Sequence, residues 1–149
     1  MKKCFLIAVL VAFSKNIQSQ EVIAAFDHHA LAVKNVEVSV DFYKNILQLK
    51  PINTPVDNPL IKWFSLGNNL QIHLIQTEDL DIKTHKANHF SLHVKDIGEF
   101  VDYLQVKQIP FWDWVGNAQK IALRPDGVQQ VYIQDPDGYW IEINDAKYN

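Results

Sequence analysis

Glu142 and the histidines at 28, 73 and 89 are the side chains whose types and spacing could do chemistry together. Glu142 follows Asp135-Pro136-Asp137-Gly138. That tetrapeptide is a turn signal: Pro presets the first turn angle, Asp bonds its own backbone and Gly tolerates positive φ. The run from Tyr139 to Asn144 then reads as a strand, on which alternate side chains share a face. Tyr139, Ile141 and Ile143 make an apolar face, while Trp140, Glu142 and Asn144 point the other way. Alone, Glu142 reads as a solvated strand carboxylate. With histidines beside it, it reads as a metal ligand.

The elements that would position these residues occur twice. Asp27 to Val36 aligns on Asn88 to Ile97 with an offset of 61, setting His28 on His89, Leu31 on Leu92 and Val33 on Val94. Six of the fifteen positions from 28 to 42 are identical to their counterparts, which indicates duplication. Each half opens with a strand. His29, Leu31 and Val33 oppose His28, Ala30 and Ala32; Phe90, Leu92 and Val94 oppose His89, Ser91 and His93. Faces that mix small residues with histidines suit a lined cavity better than a packed core. A helix follows in each half, capped by Asn35 or by Asp96, the latter with Glu99 in capping-box position. Val36, Val40, Tyr43 and Leu47 recur at helical spacing, as do Ile97, Phe100, Val101 and Leu104.

Strands complete each half. Ile52–Thr54 is a candidate, and Ile61–Leu66 and Leu70–Gln76 flank the turn Gly67-Asn68-Asn69. The second half offers Ile109–Trp114, Lys120–Leu123, Val128–Gln134 and the run containing Glu142. The order is βαβββ, twice. At an offset of 69, Leu70–Ile75 lies on Tyr139–Asn144 and His73 falls on Glu142. The duplication thus yields two equivalent pairs, His28 with His73 and His89 with Glu142. Across a pseudo-twofold all four can converge. Three imidazoles and a carboxylate suit zinc, iron, nickel or cobalt, and the carboxylate admits manganese.

These residues carry a family resemblance. His28-x-x-Leu31-x-Val33, then Ser39-Val40-x-Phe42-Tyr43-x-x-x-Leu47, then His89-x-x-Leu92-x-Val94, and finally the Asp135 turn with Ile141-Glu142, resemble the signatures of the vicinal oxygen chelate superfamily. That superfamily includes glyoxalase I, methylmalonyl-CoA epimerase, fosfomycin- and bleomycin-resistance proteins and extradiol dioxygenases. The resemblance spans about residues 26–145. It implies an α+β fold of two tandem βαβββ modules, about 26–77 and 86–145, forming a curved mixed sheet around a metal-lined cavity. It places the metal ligands at His28, His73, His89 and Glu142. Extradiol dioxygenases and fosfomycin enzymes use the places of His28, His89 and Glu142 only, whereas glyoxalase I and the epimerase use all four. His73 departs from the Glu or Gln that those two carry. Homodimers are expected from the same resemblance.

The implied chemistry is that of a divalent-metal lyase or isomerase of glyoxalase type. The metal would bind neighbouring oxygens of a small substrate and stabilise a developing enediolate. Glu142 is the candidate base for moving a proton at the adjacent carbon. His93 could assist from the same strand, or simply line the cavity. Arg124, the chain's one arginine, could anchor an anion bidentately or sit solvated in its hairpin. Trp140, with Trp112 and Trp114, could wall the substrate pocket. The rivals are an iron ring-cleaving dioxygenase and a non-catalytic small-molecule binder.

The remaining sequence bounds the setting. Met1-Lys2-Lys3, ten apolar residues from Cys4 to Phe13 and the polar stretch Ser14 to Gln20 follow the order of a secretory signal peptide, the alternatives being an uncleaved anchor or a simple N-terminal helix. Cleavage after residue 19 would leave one domain over 20–149, periplasmic or secreted, with no cysteine and hence no thiolate chemistry. Losing Lys2, Lys3 and Lys15 takes the formal charge from −3 to −6. An acidic body without a basic run argues against nucleic acid, and against a membrane partner once the signal is removed. Export also argues against a glutathione hemithioacetal, a cytosolic substrate.

Overall fold

The computed structural model describes residues 24–147; the expected signal peptide, 1–19, lies outside them. Two mixed four-stranded sheets carry the fold, in the orders β1-β4-β3-β2 and β5-β8-β7-β6. The first half contains β1 (His28–Val33), α1 (Val36–Asp41), β2 (Lys50–Ile52), β3 (Ile61–Gly67) and β4 (Leu70–Gln76). The second contains β5 (His89–His93), α2 (Ile97–Val106), β6 (Ala122–Leu123), β7 (Gln129–Gln134) and β8 (Trp140–Asn144). The duplicated βαβββ order is therefore the observed one, and the fold is α+β. In each half the opening strand pairs in parallel with the last and forms one edge of its sheet.

Both helices start at the expected caps. The Asn35 side chain accepts from the amides of Glu37 and Val38, and that of Asp96 from Glu99. Their ends differ. From Phe42 to Ile46 the first helix runs on as a π-helical turn. The Leu47 amide donates to the Phe42 carbonyl, five residues back, where its counterpart Lys107 donates to Tyr103, four back. The first helix thus carries one more residue than the second before each ends in a left-handed glutamine, Gln48 or Gln108. A π turn is what one inserted residue makes of an α-helix. Regular 3.6-residue spacing does not anticipate it.

Several strand bounds move by one residue, and three strands differ more from the sequence reading. β2 begins two residues earlier, at Lys50, and β6 is shortened to two residues. Ile109–Trp114 is not a strand; it contributes a single bridging residue, Trp112, which pairs with Ala118 and Tyr132. Pro110 has no amide to donate. Beyond Trp112 the Asp113 carboxylate accepts from the amides of Gly116 and Asn117 and curls the chain into a turn.

One apolar core joins the halves. Leu31 and Val33 of β1, Ile72 and Leu74 of β4, and Ile141 and Ile143 of β8 all belong to it, with both helices packed against it. Phe90 of β5 brings its ring within 5.2 Å of His29 on β1. Strand alternation then turns His28, Ala30 and Ala32 of β1, and Trp140, Glu142 and Asn144 of β8, away from this shared core.

Candidate metal centre

The expected pairs form, one on each sheet. In the second half Glu142 is buried at the centre of its sheet, with Ser91 beside it on β5 and Tyr132 on β7. Tyr132 Oη donates to Glu142 Oε2 at 2.6 Å. Asn144 Nδ2 and Ser91 Oγ donate to Oε1 at 2.8 and 3.3 Å, and Arg124 Nη1 stands 3.5 Å from the same oxygen. Burial alone would raise the Glu142 pKa. The hydrogen bonds from Tyr132 and Asn144, with His89 and the Arg124 guanidinium close by, outweigh it and hold the carboxyl below its ordinary value. Glu142 is thus a fixed, ionised carboxylate.

His89 completes this half, its Nε2 lying 3.3 Å from Glu142 Oε2. Its Nδ1 lies 2.7 Å from the Lys86 carbonyl oxygen. A carbonyl can only accept, so Nδ1 carries the proton and Nε2 is the nitrogen turned to the carboxylate. A histidine tied through one nitrogen to a backbone acceptor is built to ligate through the other. Lys86 is itself anchored. Its Nζ donates to the carbonyls of Asp113 and Trp114 and sits 4.5 Å above the Trp140 ring.

In the first half three rings stack across three strands. Trp63 of β3 lies 3.9 Å from His73, at 6°, and His28 covers its other face at 4.2 Å. His28 Nδ1 bonds the Asp27 carboxylate at 2.6 Å, which leaves Nε2 for a ligand. His73 Nε2 is 2.8 Å from Gln71 Oε1. Burial first, and the neighbouring His28 second, lower the His73 pKa, favouring the neutral imidazole that metal binding requires. The donor chemistry of both halves fits a divalent ion. The two pairs nevertheless stay apart within the chain. Among the described residues no three His, Cys, Asp or Glu side chains gather as a set able to hold a metal.

The expected substrate-contacting residues are spread around the second half. Arg124 pairs with Asp126 at 2.6 Å as well as facing Glu142. Trp140 meets Trp112 edge-on at 5.5 Å. His93 lines a cavity of about 580 Å³ together with Ser91, but His28, His73, His89 and Glu142 do not line it. Tyr132, Asn144, Ser91, Asp27 and Lys86 were not singled out as ligand supports by sequence reasoning. One signal was available for Tyr132: at the offset of 69 it falls on Trp63, and the two sit directly beside the candidate ligands Glu142 and His73 on the last strand of each half.

Comparison with known proteins agrees with this architecture. The family model for the Glyoxalase/Bleomycin resistance protein/Dioxygenase superfamily matches residues 25–143. A lactoylglutathione lyase of Pseudomonas putida is 27% identical over 150 residues, covering 79% of this chain and 83% of its own. Glyoxylase I 4 of Arabidopsis thaliana is 28% identical over 129 residues, covering 81% and 70%. A solved member of the same superfamily from Sphaerobacter thermophilus superposes with a TM-score of 0.66 at 22% identity, covering 83% of this chain and 98% of that one.

Proposed function

Because the chain belongs to the glyoxalase/bleomycin resistance protein/dioxygenase superfamily, we propose that it is a divalent-metal-dependent lyase or isomerase of glyoxalase type. Its substrate is a small molecule that presents two neighbouring oxygens. The observation that carries this reading is the half-site on β5 and β8: an ionised Glu142 facing the Nε2 of a histidine whose tautomer Lys86 fixes. His28, His73, His89 and Glu142 would hold the ion. When bound, it would supply Lewis acidity to the substrate oxygens. The chain's own residues do the rest. Glu142 accepts a proton from the adjacent carbon, Tyr132 and Asn144 keep its two oxygens in place, and Arg124 offsets charge on the same face. The relatives named lactoylglutathione lyase and glyoxylase support the reaction type.

The half-sites face away from the shared core, on sheets in which β1 and β5 each form one edge. A homodimer that sets one chain's His28 and His73 against the other's His89 and Glu142 would complete the ligand set. Export of the protein is part of the same proposal, resting on the Met1 to Gln20 pattern. Finding Met1 still in place on the purified cellular protein would refute it.

Elemental analysis of the purified protein beside His73→Ala tests the ligand set. Stoichiometric metal in the wild type and a clear loss in the variant are expected. A second reading draws on the bond from His73 Nε2 to Gln71 and on the rings covering both faces of His73. If that bond persists, His28, His89 and Glu142 remain, the two-His-one-carboxylate set of non-haem iron oxygenases. Unchanged metal in His73→Ala, with oxygen uptake on catechols, would establish the dioxygenase instead. A protein that purifies without metal and ignores chelators would be a binder.

A further inference from the structure

The duplication gives the fold two equivalent junctions, where the last hairpin of one half meets the opening strand and helix of the other. One junction is sealed. Tyr139 Oη donates to the Ala32 carbonyl at 3.0 Å. Asp137 accepts from the Lys34 amide and from Ser39 Oγ, and Asp135 accepts from Tyr43 Oη at 3.0 Å. The other junction is hollow. Leu70 stands where Tyr139 does, Leu66 where Asp135 does, and they face His93 and Phe100 in place of Ala32 and Ser39. Between them lies the cavity of about 580 Å³.

Two further features mark this hollow. The chain leaving the π turn, Leu47 to Leu49, forms part of its wall, so the one-residue difference between the helices falls at this junction. Ser91 lines the cavity and also donates to Glu142 Oε1 at 3.3 Å. Ser91, on the edge strand β5, therefore stands between the hollow and the carboxylate. Its lining is mainly aliphatic, from Leu66, Leu70, Leu92 and Val94, with Phe100. Its volume lies in the range that holds small organic ligands.

We propose that the hollow junction seats the apolar substituent of the substrate, so that the enzyme takes molecules built as an oxygenated chelating head on an aliphatic or aryl tail. The head rests on the metal-dependent reading above; the tail rests on the junction alone. In solution the two can be separated. Hexanoate added to the metal-free full chain is expected to shift NMR signals of His93, Leu70 and Leu92. Leu70→Tyr, which imports the residue that seals the other junction, should abolish those shifts, and Leu70→Phe serves if the tyrosine variant melts early. No shift in the wild type, or a shift that survives both fillings, overturns the pocket.

The metal-loaded chain is then titrated with straight-chain hydroxamates, which chelate through neighbouring oxygens. Binding should tighten roughly fourfold per added methylene, and Leu70→Tyr should flatten the series. A wild-type series that binds but is flat sinks the tail assignment and leaves the metal function standing. Hexanoate binding with no hydroxamate binding removes the head, and with it the substrate assignment.

Discussion

Glu142 is held in place by residues from three strands, of which only Asn144 is close to it in the chain. Tyr132 donates to one oxygen, Asn144 and Ser91 to the other, and Lys86 sets the histidine opposite. Removing one such support from a metal centre typically costs 10- to 100-fold in affinity. Tyr132→Phe is therefore expected to weaken metal binding by roughly that factor, read by competition with a chromophoric chelator. Asp27→Asn should do the same at His28, whose Nδ1 it leaves without a carboxylate. Affinities within twofold of wild type in both variants would deny these residues a supporting role. The candidate ligands were legible as a set, because duplication doubles a short signal: His28 repeats as His89 and His73 aligns on Glu142. Their supports were not, because a hydrogen bond across strands depends on register, and no local pattern announces register.

At the scale of elements, alternation and capping were legible and irregularities were not. The faces of β1, β4, β5 and β8 follow from period-two patterning. The π turn does not, since one inserted residue leaves the apolar spacing nearly intact. Ile109–Trp114 looked like a strand because β-formers crowd it. Asp113 overrides that preference by capturing two amides, with the Asn117 side chain as a further donor. Burial opposes the Asp113 charge, but these bonds and Lys120 hold its carboxyl below 3.8. The sign follows: its contribution to stability is complete above that value and is lost as pH falls through the lower folded value. An acid titration should show the wild type losing stability below about pH 4. Asp113→Asn should be less stable at neutral pH with a shallower acid limb. Parallel acid limbs would mean that the turn does not depend on this charge.

The whole molecule decides what the residues can do together. Among the described residues each chain carries two separated pairs of candidate ligands on faces turned from a common core, and the proposed centre is completed by a second copy. His28→Ala and Glu142→Ala should each abolish metal-dependent activity. If half-sites are shared between chains, mixing the two variants restores one intact centre per mixed dimer. Freely exchanging subunits should then recover about a quarter of wild-type activity. No recovery, in a mixture that sedimentation shows to be dimeric, would place all ligands within one chain. The sequence alone determined the βαβββ duplication, the strand faces and the four candidate ligands, because these depend on periodicity and on repetition within one chain. Tertiary structure alone decided that the candidate ligands stand as two separated pairs, that Tyr132 and Lys86 hold one of them, and that one junction is sealed while its twin is hollow. Those outcomes depend on which faces pack inward and on how unequal residues fill equivalent places, and both are properties of the assembled core.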